Sequence, residues 1–168
     1  MNAALLTVRP ESTGDKSAIH ALHCAAFGAS TEADLVDRLR DEDAVVLSLV
    51  AAEDGRVVGH VLYSRLTIDG EANGVSALAP VAVMPERQKQ GIGRRLIETA
   101  HRELTARGET LIFVLGAPAY YERLGFSSET AKPFRTPYDG PYMMALALAP
   151  GAPSSGTVAY PAPFARLG

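Results

Sequence analysis

The chain has 168 residues, 47% of them apolar and 21% charged, which suits one domain (residues 1–168) with a sizeable core and excludes a disordered or collagen-like chain. A net charge of -3 supplies no dominant basic face, so no nucleic-acid partner is expected. The longest apolar run, Ala77 to Met84, falls far short of the roughly 18 to 20 residues that cross a bilayer, so no membrane partner is expected either.

Met1 to Val8 lacks the charged start, apolar stretch and cleavage site of a secretory signal. Cys24 is the only cysteine, which forbids an internal disulfide and suits a reducing compartment. A cytoplasmic location is the expectation. Leu6 to Arg9 alternates as a short strand should, after which Thr13 or Asp15 can cap a helix carrying Ile19, Leu22, Ala26 and Phe27. Thr31 with Asp34 three residues on resembles a capping box, opening a short helix with Leu35, Val36 and Leu39 on one face and ending near Arg40.

Val45 to Ala51 and Val57 to Ser64 flank Asp54-Gly55, a hairpin signal. Leu66 to Ile68 with Asp69-Gly70 adds a further strand and turn. Val75 to Met84 then reads as a strand buried on both faces, but Pro80 inside it cannot donate to a ladder, which predicts a bulge or splay. Ile92, Leu96, Ile97, Ala100 and Leu104 repeat with helical spacing up to Gly108, a C-terminal cap in the left-handed conformation. Leu111 to Leu115 is a strand, Ala117 to Leu124 a helical turn closed by Gly125, Phe126 the start of an extended piece, and Tyr142 to Leu148 the last main strand. Residues 150–168 are rich in Pro, Gly and Ser, yet Val158, Tyr160 and Phe164 predict that this tail packs on the same domain. The fold class is α/β (or α+β), a mixed sheet flanked by helices.

The most informative stretch runs from Leu78 to Leu96, where a buried strand enters a polar, glycine-containing turn and then an amphipathic helix. First-turn amides of a helix have no internal partner and carry the positive end of its dipole, so they wrap a phosphate when no side chain blocks approach. Gly91 and Gly93 remove those side chains, and Arg94 and Arg95 add positive charge at the rim. Between Arg87 and Arg107 six basic residues face two acidic ones, a local surplus in an acidic chain. Glycines also punctuate ordinary strand-to-helix turns. The third glycine of a dinucleotide fingerprint and the Lys-Ser/Thr of a P-loop are both missing.

Gln88-Lys89-Gln90-Gly91-Ile92-Gly93 resembles the Gln/Arg-x-x-Gly-x-Gly/Ala signature of the GNAT superfamily of acyl-CoA N-acyltransferases, and Tyr121-Glu122-Arg123-Leu124-Gly125-Phe126 resembles that family's Tyr-x-x-x-Gly-Phe. Order and spacing also agree. The similarity runs from about Leu6 to Leu148, and Gly156 to Pro161 is similar to the ending of a small bacterial, largely uncharacterised subgroup. Many members carry an asparagine ahead of the tyrosine, where this chain has Gly116-Ala117-Pro118.

The resemblance implies a splayed central sheet and acetyl-CoA as cosubstrate. It places the pyrophosphate on backbone N–H groups from Lys89 to Arg94 and the pantetheine arm along Val81, Ala82 and Val83, within a cofactor-binding set that also takes in Gln88, Gln90, Gly91, Ile92, Gly93 and Arg95. The implied reaction is direct attack by a primary amine on the thioester through a tetrahedral intermediate, with Tyr121 as general acid. A small-molecule or peptide amine would be the acceptor, chosen by the loops Phe27 to Thr31 and Lys132 to Pro141. Glu32 and His60 are the candidates for general base, set against ordinary roles as a first-turn charge and a satisfied strand residue. A catalytically silent CoA-binding sensor or assembly module is the alternative reading. His20, His23 and Cys24 do not match a zinc spacing, and no metal is expected. A homodimer is common in the family, with the apolar Met143-Met144 strand as one place of contact.

Overall fold

The computed structural model describes residues 5–167. Its elements in chain order are β1 (Leu6–Pro10), α1 (Lys16–Phe27), α2 (Thr31–Asp41), β2 (Val45–Glu53), β3 (Arg56–Arg65), β4 (Thr67–Ile68), β5 (Val75–Val83), α3 (Ile92–Ala106), β6 (Leu111–Leu115), α4 (Pro118–Tyr121), α5 (Ser128–Ala131), β7 (Phe134–Arg135), β8 (Met143–Ala147) and β9 (Gly156–Ala159). Six strands form a sheet in the order β1-β2-β3-β5-β6-β8, antiparallel throughout except for the parallel pair β5 and β6.

Local chemistry accounts for the turns. Asp54 and Gly55 both take positive φ, 51° and 75°, the requirement of the tight hairpin turn that matches strand twist. The N-cap of α1 is Asp15, one of the two positions predicted, whereas the cap of α2 falls one residue before the predicted Thr31. Ser12 caps a single 3-10 turn, Thr13–Asp15, and the Asp15 carboxylate reaches back to the Ser12 amide at 2.8 Å. Ser30, not Thr31, is the N-cap of α2, and its hydroxyl donates to Asp34 at 3.1 Å.

Alternation in β2 and β3 sorts the core into two faces. Leu49, Ala51, Val58, Val61 and Tyr63 meet Ile92, Leu96, Ile97 and Leu104 of α3 on one side. Val50 and Leu62 meet Ile19, Leu22, Leu35 and Leu39 of α1 and α2 on the other. Each fully buried aliphatic side chain contributes roughly 1.5–3 kcal/mol relative to exposure. Gly59 lets α3 sit close, since a Cβ there would stand 3.0 Å from both Ile92 Cγ2 and Leu96 Cδ1.

Pro80 has the effect anticipated from its missing N–H. Val61 lies opposite Val81 and Tyr63 opposite Leu78, so one extra residue of β5 is bulged out of the ladder around the prolyl residue. On its other side β5 bonds β6 only through Val75–Ala77 and Leu111–Phe113, although the strands run on to Val83 and Leu115. Beyond Ala77 the sheet is open.

One sequence expectation is corrected. The Leu66 to Ile68 piece leaves the main sheet, and β4 pairs instead with β9, which in turn pairs with β7. Phe126 leads into the extended residue Ser127, bridged to Ala145, before α5 begins. Met143 and Met144 are 3% and 0% exposed, so these side chains belong to the core, while β8 itself forms one edge of the sheet.

Candidate active site

Two left-handed residues shape the Gln88–Arg94 turn that leads into α3. Lys89 and Gly91 both hold positive φ, 65° and 85°, which swings successive amides toward one side, and Gly91 is the N-cap of α3. The first helical bond runs from the Arg95 amide to the Gly91 carbonyl at 3.0 Å; among the described residues the amides of Lys89 through Arg94 donate to nothing. A Cβ on Gly91 would meet no atom within 4 Å, whereas one on Gly93 would lie 3.1 Å from Tyr120 Oη. Gly91 therefore faces open space, while Gly93 is closed in by Tyr120 and Val83 and has little room for a side chain. The Gln88 side chain anchors the turn, donating from Nε2 to the Val83 carbonyl at 3.0 Å.

A cavity of about 310 Å³ fills this corner, bounded by Val83, Arg87, Gly91, Gly93, Tyr120 and Arg123. The basic surplus is thinner than its count suggests. Arg87 is paired with Glu53, Arg94 with Glu98 and Arg107 with Glu103, while Lys89 and Arg95 enter no ion pair among the described residues. Arg123, from inside the second motif, and Arg87 and Tyr120, each just before a motif, also line the cavity.

Gly125, at φ 96°, closes the short helical segment that holds the two tyrosines. Tyr121 packs edge-on against Phe126 and Tyr120, with centroids 5.8 and 4.9 Å away, and its ring lies over Gly116. Burial, and then the neighbouring Tyr120, push the Tyr121 hydroxyl up to about 12. Deeper in, the Tyr63 hydroxyl is buried without a partner among the described residues, and burial raises its pKa well above the ordinary phenol value.

The two base candidates lie apart from that cavity. Glu32 is half-buried in the first turn of α2. His60 is fully buried on the α1 side of the sheet with both ring nitrogens engaged, Nδ1 at 2.8 Å from His23 Nε2 and Nε2 at 2.8 Å from Ser48 Oγ. Ser48 Oγ donates to Glu11 at 2.7 Å, and Arg40 donates to the same carboxylate at 2.7 and 2.9 Å. His20 turns instead to Asp37 at 2.9 Å, and Cys24 is half-buried on α1, so His20, His23 and Cys24 do not converge.

Acetyltransferase (GNAT) domain is the description of the family model that matches residues 7–128. The chain belongs to the GNAT family. Over 116 residues it is 44% identical to the uncharacterized N-acetyltransferase YjhQ of Escherichia coli, a match covering 67% of this chain and 64% of that protein, just under two thirds of its length. The GNAT N-acetyltransferase YhbS of E. coli, solved in complex with CoA, superposes with a TM-score of 0.92 at 31% identity, covering 100% of this chain and 96% of that one. A GNAT acetyltransferase of Brucella melitensis, solved with acetyl-CoA, gives 0.83 at 36% identity, covering 95% and 98%. Among the described residues no GNAT helix here is long and apolar enough to cross a membrane.

Proposed function

We propose that this chain transfers an acetyl group from acetyl-CoA to a primary amine. The observation that carries the reading is the run of free amides from Lys89 to Arg94 set beside the open edge of β5. The CoA and acetyl-CoA complexes of the two structural relatives support it.

In this reading the turn from Gln88 to Gly93 binds the pyrophosphate through its main chain, with Arg94 and Arg95 at the rim. Val81, Ala82 and Val83 offer their unladdered edge to the pantetheine amides, in the way a strand accepts a neighbour. Acetyl-CoA supplies the activated thioester. The amine nitrogen forms the new bond to the carbonyl carbon, and the sulfur leaves with the electron pair of the C–S bond. Tyr121 is the donor to that sulfur. With its pKa raised, the phenol stays protonated at neutral pH, and since a thiol titrates near ~8.5 it acts chiefly by hydrogen-bonding the charge that builds on sulfur. Glu32 through water takes the proton from the amine, whereas His60, with both ring nitrogens engaged, keeps a structural role in its strand.

Two measurements test this. Adding acetyl-CoA at about 100 times its dissociation constant raises stability by ~2.7 kcal/mol, seen as a higher melting temperature. Release of free CoA thiol with an amine panel then reports transfer. Binding without any amine-dependent release would mark the chain as a CoA-binding sensor or assembly module.

A further inference from the structure

The largest cavity described lies in the gap between the splayed strands, and it differs in character from the pyrophosphate corner. Its volume is about 810 Å³, within the range of sites for small organic ligands and far beyond the need of an acetyl group. One wall is Ala77 to Ala79 of β5, another Phe113 to Leu115 of β6, where the ladder between these strands stops. β5 thus runs from Val83 in the smaller cavity to Ala79 in the larger one. The third wall is the tail, Val158 to Ala162 with Phe164 and Ala165.

Among the described residues no Asp, Glu, Lys, Arg or His lines this space. Its side-chain polar atoms are two tyrosine hydroxyls, and the Tyr138 hydroxyl already donates to the Phe164 carbonyl at 3.3 Å. Tyr138, Tyr160 and Phe164 stand edge to face in a row, centroids 5.0 and 5.1 Å apart, and Phe113 adds a fourth ring. Such walls welcome a flat apolar body, whereas a second ammonium or a carboxylate would lose its water and find no counter-charge.

We propose that this cavity is the acceptor site and takes a monoamine carried on an apolar, aromatic body with no second charged group. The inference rests on the acetyl-transfer reading above and names the acceptor class for it. The acidic residues Glu32, Asp34 and Asp139, which could draw in a cationic amine, do not line the cavity.

The test uses the full chain, acetyl-CoA and a matched set of acceptors: 2-phenylethylamine, L-phenylalanine, which adds only a carboxylate, and spermidine, which adds ammonium groups. Free CoA thiol gives kcat/KM for each. The expected order places 2-phenylethylamine at least 100-fold above both others. Leu115→Glu, at a side chain already 52% exposed and therefore safe for folding, should lower the phenylethylamine value at least tenfold while leaving acetyl-CoA affinity unchanged. Equal or better use of spermidine or phenylalanine overturns the inference. So does acetyl-CoA binding with no turnover of the aromatic amine, or hexanoyl-CoA outperforming acetyl-CoA, which would make the cavity an acyl-chain site. If acetyl-CoA gives no thermal shift at all, the acetyl-transfer reading fails first.

Discussion

His23 Nε2 on α1 meets His60 Nδ1 on β3 at 2.8 Å, and the order of the row beyond them fixes which nitrogen holds each proton. Ser48 spends its hydroxyl proton on Glu11, so His60 must donate from Nε2 to Ser48 and accept at Nδ1 from His23. His23 Nδ1 is left as a buried lone pair without a partner among the described residues. Burial, then His60, Arg40 and His20, push His23 down to about 3, and burial is also the leading cause of the lowered pKa of His60. Burial opposes ionisation of Glu11, yet hydrogen bonds from His60, Arg40 and Ser48 outweigh it and hold the carboxyl at about 2.

These groups make the fold acid-labile. A histidine held neutral when folded but titrating near ~6.5 when unfolded contributes stability above that pH and loses it as pH falls toward the folded value. For His23 the loss by pH 5 is about 2 kcal/mol, and the Glu11 contribution fades in the same direction below pH ~4.5. Melting temperatures from pH 7.5 to 4.5 should fall steadily, and the double variant His23→Leu, His60→Met should show a shallower slope. An unchanged slope would remove the pair as its cause.

Gly91→Ala and Gly93→Ala separate conformational strain from cavity blocking. Gly91 sits at φ 85° with open space around it, so alanine there should cost about 1–2 kcal/mol of stability. Gly93 has ordinary φ, and its new methyl would enter the cavity 3.1 Å from Tyr120 Oη, so stability should hold while CoA affinity falls. Calorimetric titration with CoA, paired with thermal melts, reads both quantities.

Tyr121→Phe should lower kcat about 10²- to 10⁴-fold with CoA affinity unchanged. Tyr120→Phe is the control, because Tyr120 lines the cavity beside the Gln88–Arg94 turn and loss of its hydroxyl should appear in CoA affinity rather than in kcat. The reverse pattern would move the donor role to Tyr120.

Gly116→Ala tests the seat of the Tyr121 ring. Its Cβ would stand 2.5 Å from Tyr121 Cε2, a contact that a planar ring can relieve only by moving, so a destabilisation of about 1–3 kcal/mol and a drop in kcat are expected together. Wild-type kcat in this variant would show that ring position does not matter.

Gly156→Ala tests how the tail is held. At φ 136°, and with a Cβ that would lie 2.5 Å from Ile68 Cγ2 and 2.9 Å from Asp69 Oδ2, alanine should detach β9 from β4. Limited proteolysis should then cut within residues 150–165 faster than in the wild type, and turnover of aromatic amines should fall with it. Equal cleavage rates would refute this account of the tail.

The features legible in the residues alone were those set by near neighbours. Asp54-Gly55 meets the dihedral demand of a tight hairpin turn, Ile92 to Leu104 repeat with the helical period, Pro80 cannot complete a ladder, and Gly91 and Gly93 leave the start of α3 bare of side chains at two positions. Each follows from sterics or hydrogen-bond supply within a few residues, so a linear string carries it. The His23–His60 contact, the tail strand seated between β4 and β7, and the aromatic-lined cavity walled by β5, β6 and the tail join positions tens of residues apart. No periodicity encodes such meetings, because they arise when faces pack and strands part, and packing is a property of the assembled core.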